Sequence, residues 1–259
     1  MRSLFGLMIL LATLPSLADT LHVANPPEPR DGRAVLDTEL VFHRGDDDDE
    51  IFFGSINAVQ VGPDGNIYVL DQQKSEVLVF DPAGRFLHTL SREGEGPGES
   101  RRPEHMVFLP DGTLGLAQFM NGKLIRIDLE GTPQGSMMPP GTGEGGNALA
   151  SIRRARYRAG TFVINGAQVT TSDDGNTRTQ YLVRCDEQAE PLVEYLSRST
   201  SMNLMQDGWI EKNNYFPSHE RWDIDREGRV LAAAERNDYV ITVFSAGGEV
   251  GYTFGREHD

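Results

Sequence analysis

The chain has 259 residues, 38% of them apolar, and a formal net charge of −15. So acidic a balance argues against a nucleic-acid partner, whose phosphates need a basic surface, and a single cysteine, Cys185, excludes an intrachain disulfide framework. With 28 glycines, 14 prolines and an ordinary share of aromatics, the composition favours a turn-rich all-β chain over a helical bundle.

Residues 1–18 read as a secretory signal peptide. Arg2 precedes an apolar run from Leu4 to Leu14, and Pro15-Ser16-Leu17-Ala18 supplies a small-x-small cleavage site. That run is shorter than the roughly 20 residues a bilayer span needs. No second run of its kind follows, so no membrane-embedded region is expected. Loss of Arg2 with the leader takes the net charge from −15 to −16. An exported chain without disulfides must be held by its core. The segment 19–55 comes next and contains Asp46-Asp47-Asp48-Asp49-Glu50. Carboxylates suit calcium, but the run lacks the spaced ligands and central glycine of a calcium loop, and it reads as a solvated acidic stretch.

From residue 56 the chain repeats. Pro63-Asp64-Gly65 returns as Pro110-Asp111-Gly112, a shift of 47 residues. Under the same shift Asp81 falls on Asp128, Gly84 on Gly131, and the run 77–80 on 124–127. The first unit predicts four short strands, 56–61, 67–70, 76–80 and 86–90. The turns Pro63-Asp64-Gly65-Asn66 and Asp81-Pro82-Ala83-Gly84 join the first to the second and the third to the fourth, with glycine supplying positive φ.

The stretch SREGEGPGES at 91–100 resembles a phosphate-cradling loop in glycine content alone. It lacks the following Lys-Ser/Thr and helix, and Glu93, Glu95 and Glu99 would repel an anion. Gly94, Gly96 and Gly98 fall on Gly141, Gly143 and Gly145, whereas the acids are not retained, so the glycines answer a local backbone requirement. A third unit shows strands near 162–164 and 181–186 separated by a polar loop, 170–179. A fourth, at a shift of 164 from the first with one inserted residue, shows strands near 229–233 and 239–244. No unit carries a helical apolar period. Units of four strands repeated every 40 to 50 residues are the signature of propeller blades. The reading is therefore all-β, a β-propeller of four-stranded blades with four blades legible, 56–100, 101–148, 149–214 and 215–259.

The segments G-P-D-G-N-I-Y-V-L-D, V-L-V-F-D-P-A-G-R-F and G-E-G-P-G-E resemble the exported bacterial six-bladed β-propeller proteins related to the NHL repeat, over 56–148 and again over 215–259. The resemblance implies a six-bladed scaffold, so that this chain is expected to be truncated at its C-terminus. It also implies a last blade closed by an N-terminal strand, for which 34–43 is the candidate. In a secreted or periplasmic setting it implies binding of a protein, peptide or glycan. It implies no cofactor and no assigned chemistry.

Topology sends the tight turns to one face. The loops between second and third strands, 71–75, 118–122, 170–179 and 235–238, go to the other, where a partner is expected. Polar residues at the starts of blades are the candidate central or ligand-face residues: Asn57, then Arg101, Arg102, Glu104 and His105, then His219, Glu220, Arg221 and Trp222. Anchoring of loops between blades is their simpler role. Asp71, at the end of a second strand, is expected to cap its own loop. The competing class is an enzyme of the propeller lyase or lactone hydrolase type with a central metal or a His/Glu pair. His43, His88, His105, His219 and His258 show no metal-ligand spacing, no Gly-x-Ser-x-Gly elbow occurs, and no catalytic or metal residue is assigned.

Overall fold

The computed structural model describes residues 20–26, 28, 51–118, 122–138, 148–172, 175–202, 221–235 and 238–256. Among them are 17 strands and no helix. β1 is His22–Asn25. The first blade is β2 (Ile56–Val61), β3 (Ile67–Asp71), β4 (Glu76–Phe80) and β5 (Phe86–Leu90). The second is β6 (Pro103–Phe108), β7 (Leu114–Gln118), β8 (Lys123–Ile127) and β9 (Pro133–Met137). The third is β10 (Ala148–Arg158), β11 (Thr161–Ser172), β12 (Gly175–Cys185) and β13 (Pro191–Met202). The fourth is β14 (Trp222–Ile224), β15 (Val230–Ala232), β16 (Val240–Phe244) and β17 (Val250–Arg256). Within every blade the strands pair antiparallel in chain order.

Blades stack face to face, and this explains their apolar runs. A strand covered on both faces shows a continuous run rather than alternation. β3, β4 and β7 are buried almost throughout, while the outer strands β5 and β9 are exposed but for their last residue. Tyr68, Leu70, Val77 and Val79 of the first blade pack on Met106, Leu114, Leu116 and Ile127 of the second. Val107, Leu124 and Met137 meet Ile152, Phe162, Ile164 and Val183 across the next gap. Val163, Leu182 and Tyr195 meet Trp222, Ile224, Val230 and Phe244 across the last. Each such side chain contributes about 1.5–3 kcal/mol on burial. The first strands β2, β6, β10 and β14 contact one another in that order and form the inner rim.

One turn recurs through the blades. Asp81 Oδ1 accepts the N–H groups of Ala83 and Arg85 at 3.0 and 2.9 Å, and Asp128, Asp186 and Asp225 do the same two and four residues on. The fourth turn residue adopts a positive φ, 79° at Gly84, 89° at Gly131 and 79° at Gly228. The third blade places Ala189 there at 67°.

The glycine stretch does hold an anion, its own. Glu99 Oε2 accepts the Gly96 N–H at 2.9 Å, and Glu99 Oε1 accepts Arg92 Nε–H at 2.7 Å. A Cβ on Gly94 would collide with the Glu99 carboxylate that these bonds hold in place, and Gly98 has φ 75°. Close approach accounts for one glycine and positive φ for the other.

One expectation changes. Most of 170–179 is strand rather than loop: Thr170 pairs with Thr177, Thr171 with Asn176 and Ser172 with Gly175, so β11 and β12 run on as a long hairpin. Its polarity resembles that of a loop, but Thr and Val are β-branched and suit an extended, half-solvated ladder. The candidate closing strand 34–43 lies outside the described residues. The N-terminal strand that is described, β1, adds in parallel to β17 as a fifth strand of the fourth blade.

Candidate functional site

The inner rim gathers polar side chains because each blade's first strand lies beside that of the next. Asn57 Nδ2 donates to the Glu104 carbonyl at 3.1 Å, and Gln60 Nε2 donates to the Met106 carbonyl at 2.7 Å. The Glu104 carboxylate faces Arg153 of β10 at 3.9 Å. Further round, Arg156 pairs with Asp223, Arg158 donates to the Ile224 carbonyl at 3.2 Å, and the Arg154 guanidinium lies 5.5 Å above the Trp222 ring. Arg221 donates to the Glu235 carbonyl at 3.0 Å.

His105 lies between the second and third blades, 8% exposed, and its Nε2 has no hydrogen-bond partner among the described residues. Burial, then the positive charges of Arg154 and Arg156, push its pKa down to about 4, so it is neutral at pH 7. It is poorly placed to serve as a proton acceptor near neutrality.

Arg101 and Arg102 stand apart from the rim, both exposed. The Arg101 N–H is held by Gln118 Oε1 at 2.8 Å and the Arg102 N–H by Ser75 Oγ at 2.9 Å, tying the connection between blades to loops of both. The Arg101 side chain meets Glu95 at 3.3 Å in solvent. His219 and Glu220 lie outside the described residues. The structure thus brings Asn57, Glu104, His105 and Trp222 to the inner strands, and leaves Arg101 and Arg102 on the loop face.

Sequence reading passed over the most concentrated charge in the rim, Arg153, Arg154, Arg156 and Arg158 on β10. The signal was legible, four arginines within six residues of a chain whose net charge is −15. Such a cluster can neutralise an anion. Among the described residues no group of three His, Cys, Asp or Glu side chains is placed to hold a metal ion.

A second feature stands on the loop face. The third blade's strands are 11 or 12 residues long against five or six in the first two blades. All the extra length projects away from the tight-turn end, where Phe162 pairs with Cys185. This wing exposes Thr170, Thr171, Ser172, Thr177, Ser199 and Ser201.

Comparison with known proteins decides the architecture. Residues 46–138 match the model of a family described as a 6-bladed beta-propeller. A solved structure of a Bacteroides fragilis protein described as exported superposes with a TM-score of 0.57 over 91% of this chain, at 13% identity. This is a β-propeller. The propeller chain spans only 60% of that protein's length. A periplasmic gluconolactonase of Pseudomonas aeruginosa (17% identity, TM-score 0.41, 76% of this chain and 52% of that one) also superposes. So does virginiamycin B lyase of Staphylococcus aureus (11%, 0.38, 69% and 62%). No curated protein matches.

Proposed function

We propose that this propeller is an exported binding scaffold that captures a protein, peptide or glycan on the face bearing the wing. The observation that carries the reading is the third blade itself. Its hairpin lies beyond the rows of buried side chains that join it to its neighbours, and with β13 it presents a ladder of exposed hydroxyls beside the partly exposed Arg178 and Arg198. Polar groups on a rigid sheet lose little entropy on binding and suit hydrogen-bonding ligands. The lyase or lactone hydrolase alternative asks for a histidine paired with an acid. Here the described histidine of the rim is buried and held neutral by arginines, while Glu104 turns to Arg153.

The test immobilises the full chain on a glycan and peptide library beside a variant with 169–178 replaced by a two-residue Asn-Gly turn. The reading expects specific retention by the wild type and its loss in the variant, with the circular dichroism of both alike. Retention that survives the shortening would overturn the assignment to the wing. So would lactone turnover by the full chain that disappears in His105→Asn.

A further inference from the structure

The two sides of the fourth blade are furnished differently. Trp222, Ile224, Val230, Ala232 and Phe244 pack toward the third blade. Side chains alternate along a strand, so Ala233, Tyr239 and Ile241 turn to the opposite side. Ile241 pairs with Phe254 across β16 and β17, which puts Phe254 and, two residues on, Arg256 on that side as well. These residues wall a cavity of about 340 Å³ at the end of the blade where the chain passes from β15 to β16. Its walls are within reach of a ligand: Ile241 and Phe254 are half-buried, and Tyr239 is 61% exposed.

Two charges stand in the lining. Asp238 and Arg256 are both exposed, and both border the cavity. The Arg256 N–H donates to the Tyr239 carbonyl at 3.3 Å, so Asp238, next along the chain, is a diagonal neighbour of Arg256. Acids and arginines held close elsewhere in the blades pair: Arg85 with Asp81, Arg92 with Glu99 and Arg229 with Asp225, each at 2.6 Å. Asp238 and Arg256 do not pair with each other, and neither side chain makes an ion pair or hydrogen bond to another described residue. Asn25, which also borders the cavity, has its amide committed to the Gly255 carbonyl at 3.0 Å. The cavity thus offers one anion, one cation and an apolar wall.

We propose that this cavity binds a small apolar zwitterion, an α-amino acid with an aliphatic or aromatic side chain. The ammonium group meets Asp238, and the carboxylate meets the Arg256 guanidinium, which matches it in shape and charge. The side chain covers Ile241 and Phe254 and removes their apolar surface from water. An α-amino acid carries its two charges on one carbon, as the neighbouring positions of Asp238 and Arg256 require. A volume near the lower end of the roughly 300–1,000 Å³ of ligand pockets suits one residue rather than a long peptide. An inorganic anion would face Asp238 and leave the wall wet, and a fatty acid would leave Asp238 without a partner. None of the described lining residues belongs to the wing, so the inference goes beyond the scaffold reading and adds a second site.

Titration calorimetry on the full chain tests it, with L-leucine, L-phenylalanine, their N-acetyl and amide derivatives, and glycine as probes. The tighter of the two apolar amino acids is expected to bind at least about tenfold better than glycine, and blocking either of its charges to weaken it by about tenfold or more. Asp238→Asn and Arg256→Gln change exposed side chains and should fold as wild type. Asp238→Asn should weaken the free amino acid while leaving its N-acetyl derivative unchanged, and Arg256→Gln should weaken it while leaving its amide unchanged. Binding of neither apolar amino acid, glycine as tight as both, or full affinity in either variant would each overturn the proposal. The chain shortened at 169–178 should bind the amino acid as wild type does, and loss of binding there would overturn the placement on the fourth blade.

Discussion

Two buried ionisable residues respond to acid for opposite structural reasons. Asp71 is fully buried at the end of β3 and accepts the N–H groups of Gly54, Ser55 and Lys74 at 2.6, 3.0 and 3.2 Å. Burial alone would raise its pKa, but the hydrogen bonds outweigh burial and hold it below the usual carboxylate value. The stabilisation is therefore complete above the unfolded pKa of about 4 and is lost as pH falls through the lower folded value. Asp71→Ala leaves three donors without their acceptor, and a loss of about 2–4 kcal/mol at pH 7 is expected in urea unfolding. His105 works through burial of its neutral form. Its folded pKa of about 4 lies below the ordinary 6.5, so the unfolded chain takes up a proton in that window and the folded one does not. Stability should decline as pH drops from about 6.5 toward 4, and His105→Leu should flatten that part of the curve. A wild-type curve already flat between these values would show that His105 is not buried as described.

At the level of turns and strands, conformation and contact can be separated by comparing glycines. Gly65 and Gly228 have nearly the same φ, 83° and 79°. A Cβ on Gly65 meets nothing within 4 Å, whereas on Gly228 it would lie 2.8 Å from Thr161 Oγ1 and 3.1 Å from the Ala159 carbonyl oxygen. Gly65→Ala should cost only the backbone term, about 1 kcal/mol, and Gly228→Ala clearly more, since the Thr161 hydroxyl also donates to the Gly228 carbonyl at 3.0 Å. Equal denaturation midpoints for the two variants would contradict this. The same turns made the fold legible, because Asp-x-x-Gly and Pro-Asp-Gly fix hairpins through local chemistry that survives in the sequence. The wing was not legible, since its Thr, Ser and Asn residues serve loops and solvated strands alike, and pairing with β10 and β13 decides between them. The cavity of the fourth blade was invisible for a related reason: in the sequence nothing links Asp238 to Arg256, and only the pairing of β16 with β17 brings them to one place.

Across the molecule, blades contact chiefly their neighbours, so disturbances should stay local, as in other repeat architectures. β1 offers the cleanest trial. It belongs to none of the interblade cores and is held to β17 by pairing from His22 with Thr253 to Asn25 with Arg256. The Thr253 N–H donates to the Leu21 carbonyl at 2.8 Å, Asn25 Nδ2 donates to the Gly255 carbonyl at 3.0 Å, and His22 Nδ1 meets Thr253 Oγ1 at 2.8 Å. Removing residues 20–26 turns β17 into an edge and frees one row of its backbone groups to solvent. Hydrogen exchange should then quicken in β17 and, more weakly, in β16, while β3, β4, β7 and β8 keep their protection. The first and second blades share the core around Leu70, Leu114 and Leu116, which β1 does not touch. Uniform loss of protection through all four blades would mean that the array unfolds as one cooperative unit, and that β1 stabilises the whole rather than closing its last blade.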